Sequence, residues 1–147
     1  KALNEEEIPI YGNGNNIRDW LFVEDHIDAL LTVIKKGDIG DTYCIGSNNE
    51  KTNIEIAERI CLIIDKLIPL KYPRNTLIKF VTDRPGHDKR YAIDNSLIKS
   101  KLGWKANYDF YTSLEKTVLW YIDNKYWCQK IIKNSNYKFE RIGNSSI

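Results

Sequence analysis

The sequence has no methionine, only three cysteines among its 147 residues, and no long apolar run. The cysteines lie far apart and form no C-x-x-C pair, a pattern typical of reduced thiols in a cytoplasmic protein. Only His26 and His87 could join them around a metal ion, so no metal site is expected. Because no apolar segment approaches the length of a membrane span, the sequence also predicts no membrane partner.

Neither charge is in large excess. The 22 basic and 20 acidic residues leave a net charge of +2, which excludes an extended surface for a polyanion such as nucleic acid. Any affinity for phosphate must therefore be local. A hydrophobic share of 42% and a charged share of 29% are typical of one folded domain with its own core.

The dinucleotide-binding fingerprint G-x-G-x-x-G is also missing. Gly12 and Gly14 supply only its first half, and Ile17 stands where the third glycine would be. Tyr121 and Lys125 have the spacing Y-x-x-x-K, but Tyr121 lies on the apolar stripe of a predicted helix, so we assign it no catalytic role. Since residues 1–7 resemble the end of a helix and no initiator methionine is present, we expect a piece of a longer protein.

Hydrophobic periodicity predicts a mixed α/β fold with too few strands for a complete doubly wound sheet. We expect strands at residues 8–11, 17–23, 41–46, 77–81 and 91–94. A helix should follow the second strand, with one apolar stripe formed by Ile27, Leu30, Leu31 and Ile34.

Three further helices are predicted. Thr52 and Glu55 form a capping box for a helix whose apolar face carries Ile54, Ala57, Ile60, Cys61, Ile64, Leu67 and Ile68. Residues 96–102 form a short helix that stops at Gly103. Thr112 and Glu115 predict a second capping box, for a helix with these inward-facing residues: Leu114, Val118, Tyr121 and Ile122. Beyond residue 125 the pattern fades, and residues 134–147 are predicted to be a loose tail.

Residues 82–90 gather three cations, two carboxylates and a histidine around Pro85-Gly86, a pair that favours a tight turn. Arg84 offers a planar fork of donors that matches phosphate or carboxylate oxygens. His87 adds a donor whose charge can change near neutral pH. The loop therefore suits a bound anion, and a diphosphate best, while composition alone leaves a solvated surface turn as the alternative.

Seven motifs resemble those of the dTDP-glucose 4,6-dehydratases, a family of the extended short-chain dehydrogenase/reductase superfamily. The most specific is D-R-P-G-H-D at residues 83–88, followed by R-Y-A-I-D at 90–94. The others are P-I-Y-G-N-G at 9–14, I-R-D-W-L-F-V-E-D-H at 17–26, T-Y-C-I-G at 42–46, N-E-K-T-N at 49–53, L-G-W-K at 102–105 and T-V-L-W-Y at 117–121. Cys44 and Ser47 depart from the family pattern, which usually has Asn and Gly there.

The resemblance implies that residues 1–133 are the C-terminal, nucleotide-sugar-binding portion of such an enzyme. Residues 17–46 would complete the Rossmann sheet of the intact protein. The intact enzyme would be a lyase, and a homodimer, that uses bound NAD to convert dTDP-glucose into dTDP-4-keto-6-deoxyglucose. The NAD site and the catalytic residues of the family precede the matched region, so the resemblance implies no catalytic or cofactor-binding residue here and an inactive isolated chain.

Substrate-binding residues are carried over by the same motifs. Arg18, Arg84 and His87 match positions that hold the diphosphate and nucleotide, and Asp83 belongs to the same loop. Pro9 and Tyr11 match positions that line the nucleoside. Asn53 matches a further contact at a helix N-terminus, where free N–H groups favour anions.

Several alternatives stay open. Without the resemblance, Tyr11 and Asn53 are equally explained by packing and capping. The chain could instead be a stand-alone module that binds a nucleotide-diphosphate sugar, an inactive fragment of another nucleotide-sugar epimerase or dehydratase, or a truncated product that does not fold well. The sequence does not distinguish thymine from uracil as the base.

Overall fold

The computed structural model of the protein describes residues 1–135, so most of the predicted tail at 134–147 lies outside the described residues. Within these residues there are four strands: β1 (Ile8–Tyr11), β2 (Ile17–Asp19), β3 (Glu50–Thr52) and β4 (Ile78–Val81). The helices are α1 (Val23–Lys36), α2 (Asn53–Leu67), α3 (Ser96–Leu102), α4 (Phe110–Asp123) and α5 (Lys125–Asn134). Short 3₁₀ turns occupy Ala2–Asn4 and Arg74–Leu77.

The four strands form two separate pairs. β1 and β4 are parallel, with Ile8 opposite Ile78 and Tyr11 opposite Val81. β2 and β3 are antiparallel, with Ile17 opposite Thr52. The prediction of an α/β fold with an incomplete sheet is therefore confirmed.

Three of the predicted strands are wrong in extent or in kind. The strand predicted at 17–23 ends at Asp19, because the chain turns into α1 at Val23. Residues 41–46 and 91–94 form no strand. Beside the second segment, the pairing with β2 is limited to one isolated parallel bridge between Ile17 and Arg90, with the Tyr91 N–H donating to the Ile17 carbonyl (3.0 Å), and it does not extend into a ladder.

The main core forms around α2. Its capping box is confirmed, with the Glu55 N–H donating to Thr52 Oγ1 (3.2 Å) and the Thr52 N–H donating to Glu55 Oε2 (2.7 Å). Ile63 and Ile64 pack with Ala2 and Val118. The predicted apolar face is partly wrong: Ile56 and Ile63 are also buried, and Leu67 and Ile68 are exposed. α2 contacts β1, α4 and both 3₁₀ turns. Because these partners lie on several sides of the helix, its buried side chains extend beyond one apolar stripe.

A second cluster lies between α1 and α3. It contains Ala29, Ile98, Leu102 and Trp104. α1 turns Asp25 and Ala29 inward, and the Asp25 carboxylate accepts the Asn107 N–H (2.9 Å) and Tyr108 N–H (3.3 Å). The predicted stripe is consequently on the surface, with exposed fractions of 50% (Ile27), 45% (Leu30), 47% (Leu31) and 79% (Ile34).

The last helices differ from prediction at their ends. α4 begins at Phe110, capped by the Asp109 carboxylate, so the second capping box at Thr112 is wrong. Val118 is buried as predicted, whereas Tyr121 is 51% exposed. Where the pattern fades, α5 continues the helical structure to Asn134. The stop of α3 at Gly103 is confirmed, because Gly103 has the left-handed φ of 71°.

Candidate functional site

The predicted site residues meet at the carboxyl ends of β1 and β4. These parallel strands end side by side, and the Gly12 N–H donates to the Val81 carbonyl (2.9 Å). The turn at residues 12–14 and the loop at 82–91 therefore leave the same sheet edge, where ligands of α/β proteins usually bind. Gly12 has a φ of +58°, a conformation that favours glycine, and a Cβ there would lie 2.9 Å from Asp83 Oδ2, so a larger residue would also displace the Asp83 side chain.

Asp83 and His87 form a pair within the loop. His87 Nδ1 lies 2.7 Å from Asp83 Oδ1, which also accepts the Arg84 N–H (2.8 Å). The hydrogen bond from His87 lowers the pKa of the Asp83 carboxyl, and that of the Arg84 N–H adds to this effect. The Pro85-Gly86 turn predicted from the sequence is present: Gly86 has a φ of +69°, and the His87 N–H donates to the Arg84 carbonyl (3.3 Å).

His87 also contacts the end of β1. Its ring meets that of Tyr11 edge to face, with centroids 6.3 Å apart. Tyr11, Pro9 and Asn53 line a cleft of about 400 Å³ beside this contact. The rest of the cleft is lined by Lys1, Ala2, Ile8, Ile10, Trp20, Ile56, Ala57 and Ile60. An apolar cleft with few polar groups and an aromatic edge suits a flat heterocycle.

The N-terminus of α2 differs from the expectation for Asn53. Its first N–H groups already have partners: that of Asn53 donates to the Asn16 carbonyl (3.0 Å) and that of Ile54 to the Gly14 carbonyl (3.1 Å). The Glu55 N–H is held by the capping box. Asn53 therefore contributes to the cleft through its side chain and not through free N–H groups.

Arg18 is oriented by the returning part of the loop. Its Nη1 donates to the Ile17 carbonyl (2.6 Å), its Nη2 donates to the Asp88 carbonyl (3.0 Å), and its guanidinium lies 4.5 Å from the centre of the Tyr91 ring. The hydrogen bond with the Asp88 carboxylate raises the pKa of Tyr91, and the charges of Arg18 and Arg84 both oppose that rise. Both arginines therefore act on the Tyr91 hydroxyl through their charge. Arg84 itself is exposed on the surface.

Further polar residues hold the loop, and sequence reasoning missed them. Glu50 and Arg90 form a two-pronged ion pair with both N···O distances at 2.7 Å, which lowers the pKa of Glu50. The buried Asn16 donates to the Asp88 carbonyl (3.2 Å). Asp19 accepts hydrogen bonds from the Ser47 hydroxyl (2.7 Å) and the Asn49 N–H (2.9 Å), and so fixes the segment before β3. Their only sequence signal is their position within or beside the family motifs.

Within residues 1–135, no group of His, Cys, Asp and Glu side chains could hold a metal ion. In the same range, no helix is long and apolar enough to cross a membrane. The turn at Gly12 and Gly14 does not fit the pyrophosphate of NAD: it leads into a strand, and its N–H groups donate to Val81 and Tyr11 carbonyls.

Residues 1–117 match the family model described as GDP-mannose 4,6 dehydratase, and the chain belongs to this family. Within it, the chain is 48% identical over 145 residues to the dTDP-glucose 4,6-dehydratase of Xanthomonas campestris pv. campestris (strain ATCC 33913), covering 97% of this chain and 41% of that protein. The chain thus spans about two fifths of the length of the curated relatives it matches.

Solved structures agree with the fold. The dTDP-glucose 4,6-dehydratase of Bacillus anthracis str. Ames, in complex with NAD, superposes with a TM-score of 0.73 at 44% identity, over 86% of this chain and 38% of that one. The Streptomyces venezuelae dTDP-glucose 4,6-dehydratase, with NAD and TYD bound, also gives 0.73, at 34% identity over 85% of this chain and 37% of that one. The resemblance noted in the sequence is therefore confirmed.

Proposed function

We propose that this chain is the nucleotide-sugar-binding part of a dTDP-glucose 4,6-dehydratase, the lyase that converts dTDP-glucose into dTDP-4-keto-6-deoxyglucose with bound NAD. The observation that carries the proposal is the convergence of Tyr11, Asp83 and His87 at the ends of β1 and β4, beside the cleft that also holds Pro9 and Asn53. Aromatic, cationic and apolar groups at one edge suit a ligand with a base and a diphosphate.

The proposed roles follow the chemistry of each side chain. Arg84, exposed on its turn, and Arg18, beside Tyr91, would neutralise the diphosphate, and His87 would donate a further hydrogen bond to it. Tyr11 and Pro9 would line the base, and Asn53 would contribute its amide within the same cleft. Asp83 would support the loop that carries Arg84 and His87.

Catalysis and NAD binding would belong to the part of the enzyme outside this chain. The Gly12–Gly14 turn does not suit a dinucleotide. The Y-x-x-x-K spacing occurs at Tyr121 with Lys125 and at Tyr126 with Lys130, and both tyrosines are exposed on the last two helices. The isolated chain should therefore produce no 4-keto sugar nucleotide even with added NAD. Formation of that product by the purified 147-residue chain would contradict this division. We also propose that the intact enzyme is cytoplasmic and that it is a homodimer. Sedimentation of the intact enzyme would test the oligomeric state.

Calorimetric titration of the chain with dTDP, UDP and GDP tests the proposal. Tightest binding of dTDP is expected, and Arg84→Ala should weaken it roughly 10- to 150-fold, the scale of a charge-assisted hydrogen bond. Arg84→Lys should recover only part of the loss, because a point charge does not reproduce the guanidinium fork. His87→Ala should cost less than Arg84→Ala.

A matched control is Arg59→Ala. Arg59 lies on α2 against the ring of Tyr111, with its guanidinium 4.8 Å from the ring centre, away from the proposed contacts. This variant should bind dTDP as the wild type does. If wild type and Arg84→Ala bind dTDP with equal affinity, the loop is only a surface turn and the proposed site is wrong.

A further inference from the structure

The Asp83–His87 contact has a consequence for how His87 can bind a ligand. The His87 side chain is only 7% exposed, against 40% for Asp83, so the imidazole has little freedom to turn. Asp83 holds Nδ1 at 2.7 Å, and Tyr11 from β1 packs its ring against the imidazole. The same Asp83 oxygen, Oδ1, also accepts the Arg84 N–H (2.8 Å).

This geometry determines where the proton of a neutral His87 resides. A carboxylate can only accept a hydrogen bond, so Nδ1 must carry the hydrogen at the observed 2.7 Å. The other ring nitrogen, Nε2, then has a lone pair, which repels the oxygens of a phosphate. With Nδ1 committed to Asp83, His87 can donate to a phosphate from Nε2 only when it is the doubly protonated imidazolium.

We propose that Asp83 is a positioning residue that commits Nδ1 of His87, so that a nucleotide diphosphate binds together with uptake of one proton from solvent at His87 Nε2. This inference rests on the proposed function and assigns Asp83 an indirect role in place of ligand contact. The titratable and charged groups that face the pair are Tyr11 from β1 and Arg84 from the same loop. Affinity should therefore rise as the pH falls through the neutral range.

Nuclear magnetic resonance of the imidazole nitrogens tests, without any ligand, whether Asp83 holds the hydrogen of neutral His87 on Nδ1. The chain has two histidines, so His26→Gln on exposed α1 leaves His87 as the only imidazole. At alkaline pH the neutral ring should show hydrogen on Nδ1, and Asp83→Asn should shift the population toward hydrogen on Nε2. A wild-type ring with hydrogen on Nε2 would overturn the proposal.

Calorimetry with dTDP-glucose tests whether ligand binding is coupled to proton uptake at His87. Both phosphates of this probe are esterified, so the ligand does not titrate between pH 6 and 8. Wild-type affinity should increase by up to about tenfold per pH unit on acidification, and titrations in buffers of different ionisation enthalpy should report net proton uptake. His87→Gln should bind more weakly, with a flat pH profile and little proton uptake. Asp83→Asn should also show a flat profile and little proton uptake, because its neutral ring can already donate from Nε2, and it should bind more tightly than wild type at the alkaline end.

The matched control makes the same carboxylate-to-amide change at Asp94, which receives the Ser96 N–H (2.8 Å) at the start of α3. Asp94→Asn should keep the wild-type pH profile. If wild type and Asp83→Asn share one pH profile, the positioning role is wrong while the binding function stands. If dTDP-glucose binds to no form of the chain at any pH, the proposed function is wrong, and so is the proposed proton uptake. The nitrogen spectra would then still decide whether Asp83 sets the position of the hydrogen on His87.

Discussion

α1 and α2 are amphipathic helices of nearly equal length, 14 and 15 residues, yet they are used very differently. α2 buries five side chains, at positions 56, 57, 61, 63 and 64, against elements on several sides. α1 buries only Asp25 and Ala29, and its most apolar stripe faces solvent. An amphipathic pattern thus predicts which face of a helix is apolar, but the burial of that face depends on a partner surface.

The two regions also differ in how they use charge. Beside α2, Arg74 is almost fully buried: its Nη1 donates to Asp65 (2.7 Å) and to the Ile68 carbonyl (2.7 Å), and its Nε donates to the Ala2 carbonyl (3.0 Å). Beside α1, Lys101 pairs with Asp38 and Asp41 on the surface, where ion pairs contribute little. We therefore expect the α2 region to be the more stable part of the chain, and four expected results, from the largest effect to the smallest, test this contrast.

Removing the buried guanidinium should have the largest effect. Arg74→Ala leaves Asp65 without its ion-pair partner and removes the guanidinium donors to the Ala2 and Ile68 carbonyls, and should lower the free energy of unfolding by about 3–5 kcal/mol. Chemical denaturation measures this change. Arg59→Ala, which removes an exposed cation–π contact with Tyr111, is the control and should change stability by less than about 1 kcal/mol. Comparable losses in the two variants would mean that the buried pair is not a stabilising centre.

Cavities in the two cores should differ in cost. Ile64→Ala, in the α2 cluster, and Leu102→Ala, in the α1–α3 cluster, both fall in the range of about 2–5 kcal/mol for deleting a buried aliphatic side chain. Ile64 should lie in the upper part of the range and Leu102 in the lower part, because residues next to Leu102 can collapse toward the open α1 surface. Denaturant titration of both variants measures the difference, and a larger loss for Leu102→Ala would reverse the ranking of the two regions.

The exposed α1 stripe should make the chain self-associate. Each large apolar side chain left in water forgoes roughly 1.5–3 kcal/mol of burial, and four of them lie on one face. Leu31→Glu/Ile34→Glu should restore a monomer and change monomer stability by less than about 0.5 kcal/mol.

Sedimentation velocity over a range of concentrations measures the association. The control is Leu62→Glu, at a residue 57% exposed on α2, which should leave the association unchanged. A wild-type chain that is monodisperse and melts sharply at high temperature would contradict this prediction.

The smallest effect is expected at the start of α4. Asp109 accepts the Tyr111 and Thr112 N–H groups (both 3.0 Å), and the hydrogen bonds with Thr112 lower the pKa of its carboxyl. A lowered folded pKa gives stability that is fully present above the unfolded value of about 3.9 and is lost as the pH falls through the folded pKa. Asp109→Ala should thus lower the melting temperature slightly at pH 7, and by less near pH 3. An equal decrease at both pH values would mean that the charge of Asp109 makes no contribution.

Much of the candidate site was predictable, because its chemistry is concentrated in short motifs. The Pro85-Gly86 turn, the capping box at Thr52 and the stop at Gly103 depend on local backbone preferences, and all three are present. The grouping of Tyr11 with His87 needed the parallel pairing of β1 and β4, which lie about 70 residues apart in the chain. The prediction that Arg18, Arg84 and His87 share one ligand stays a prediction.

The sequence by itself determined the α/β class, the approximate positions of α1 to α4 and the chemistry of the loop at 82–90, because periodicity, caps and turns act over a few residues. Only the tertiary structure decided which faces are buried. It places Ile63 inside and Ile34 outside, turns residues 41–46 away from any strand, and joins Asp83 to His87 under Tyr11. Burial and strand pairing require a second surface, and that surface comes from parts of the chain that local patterns do not bring together.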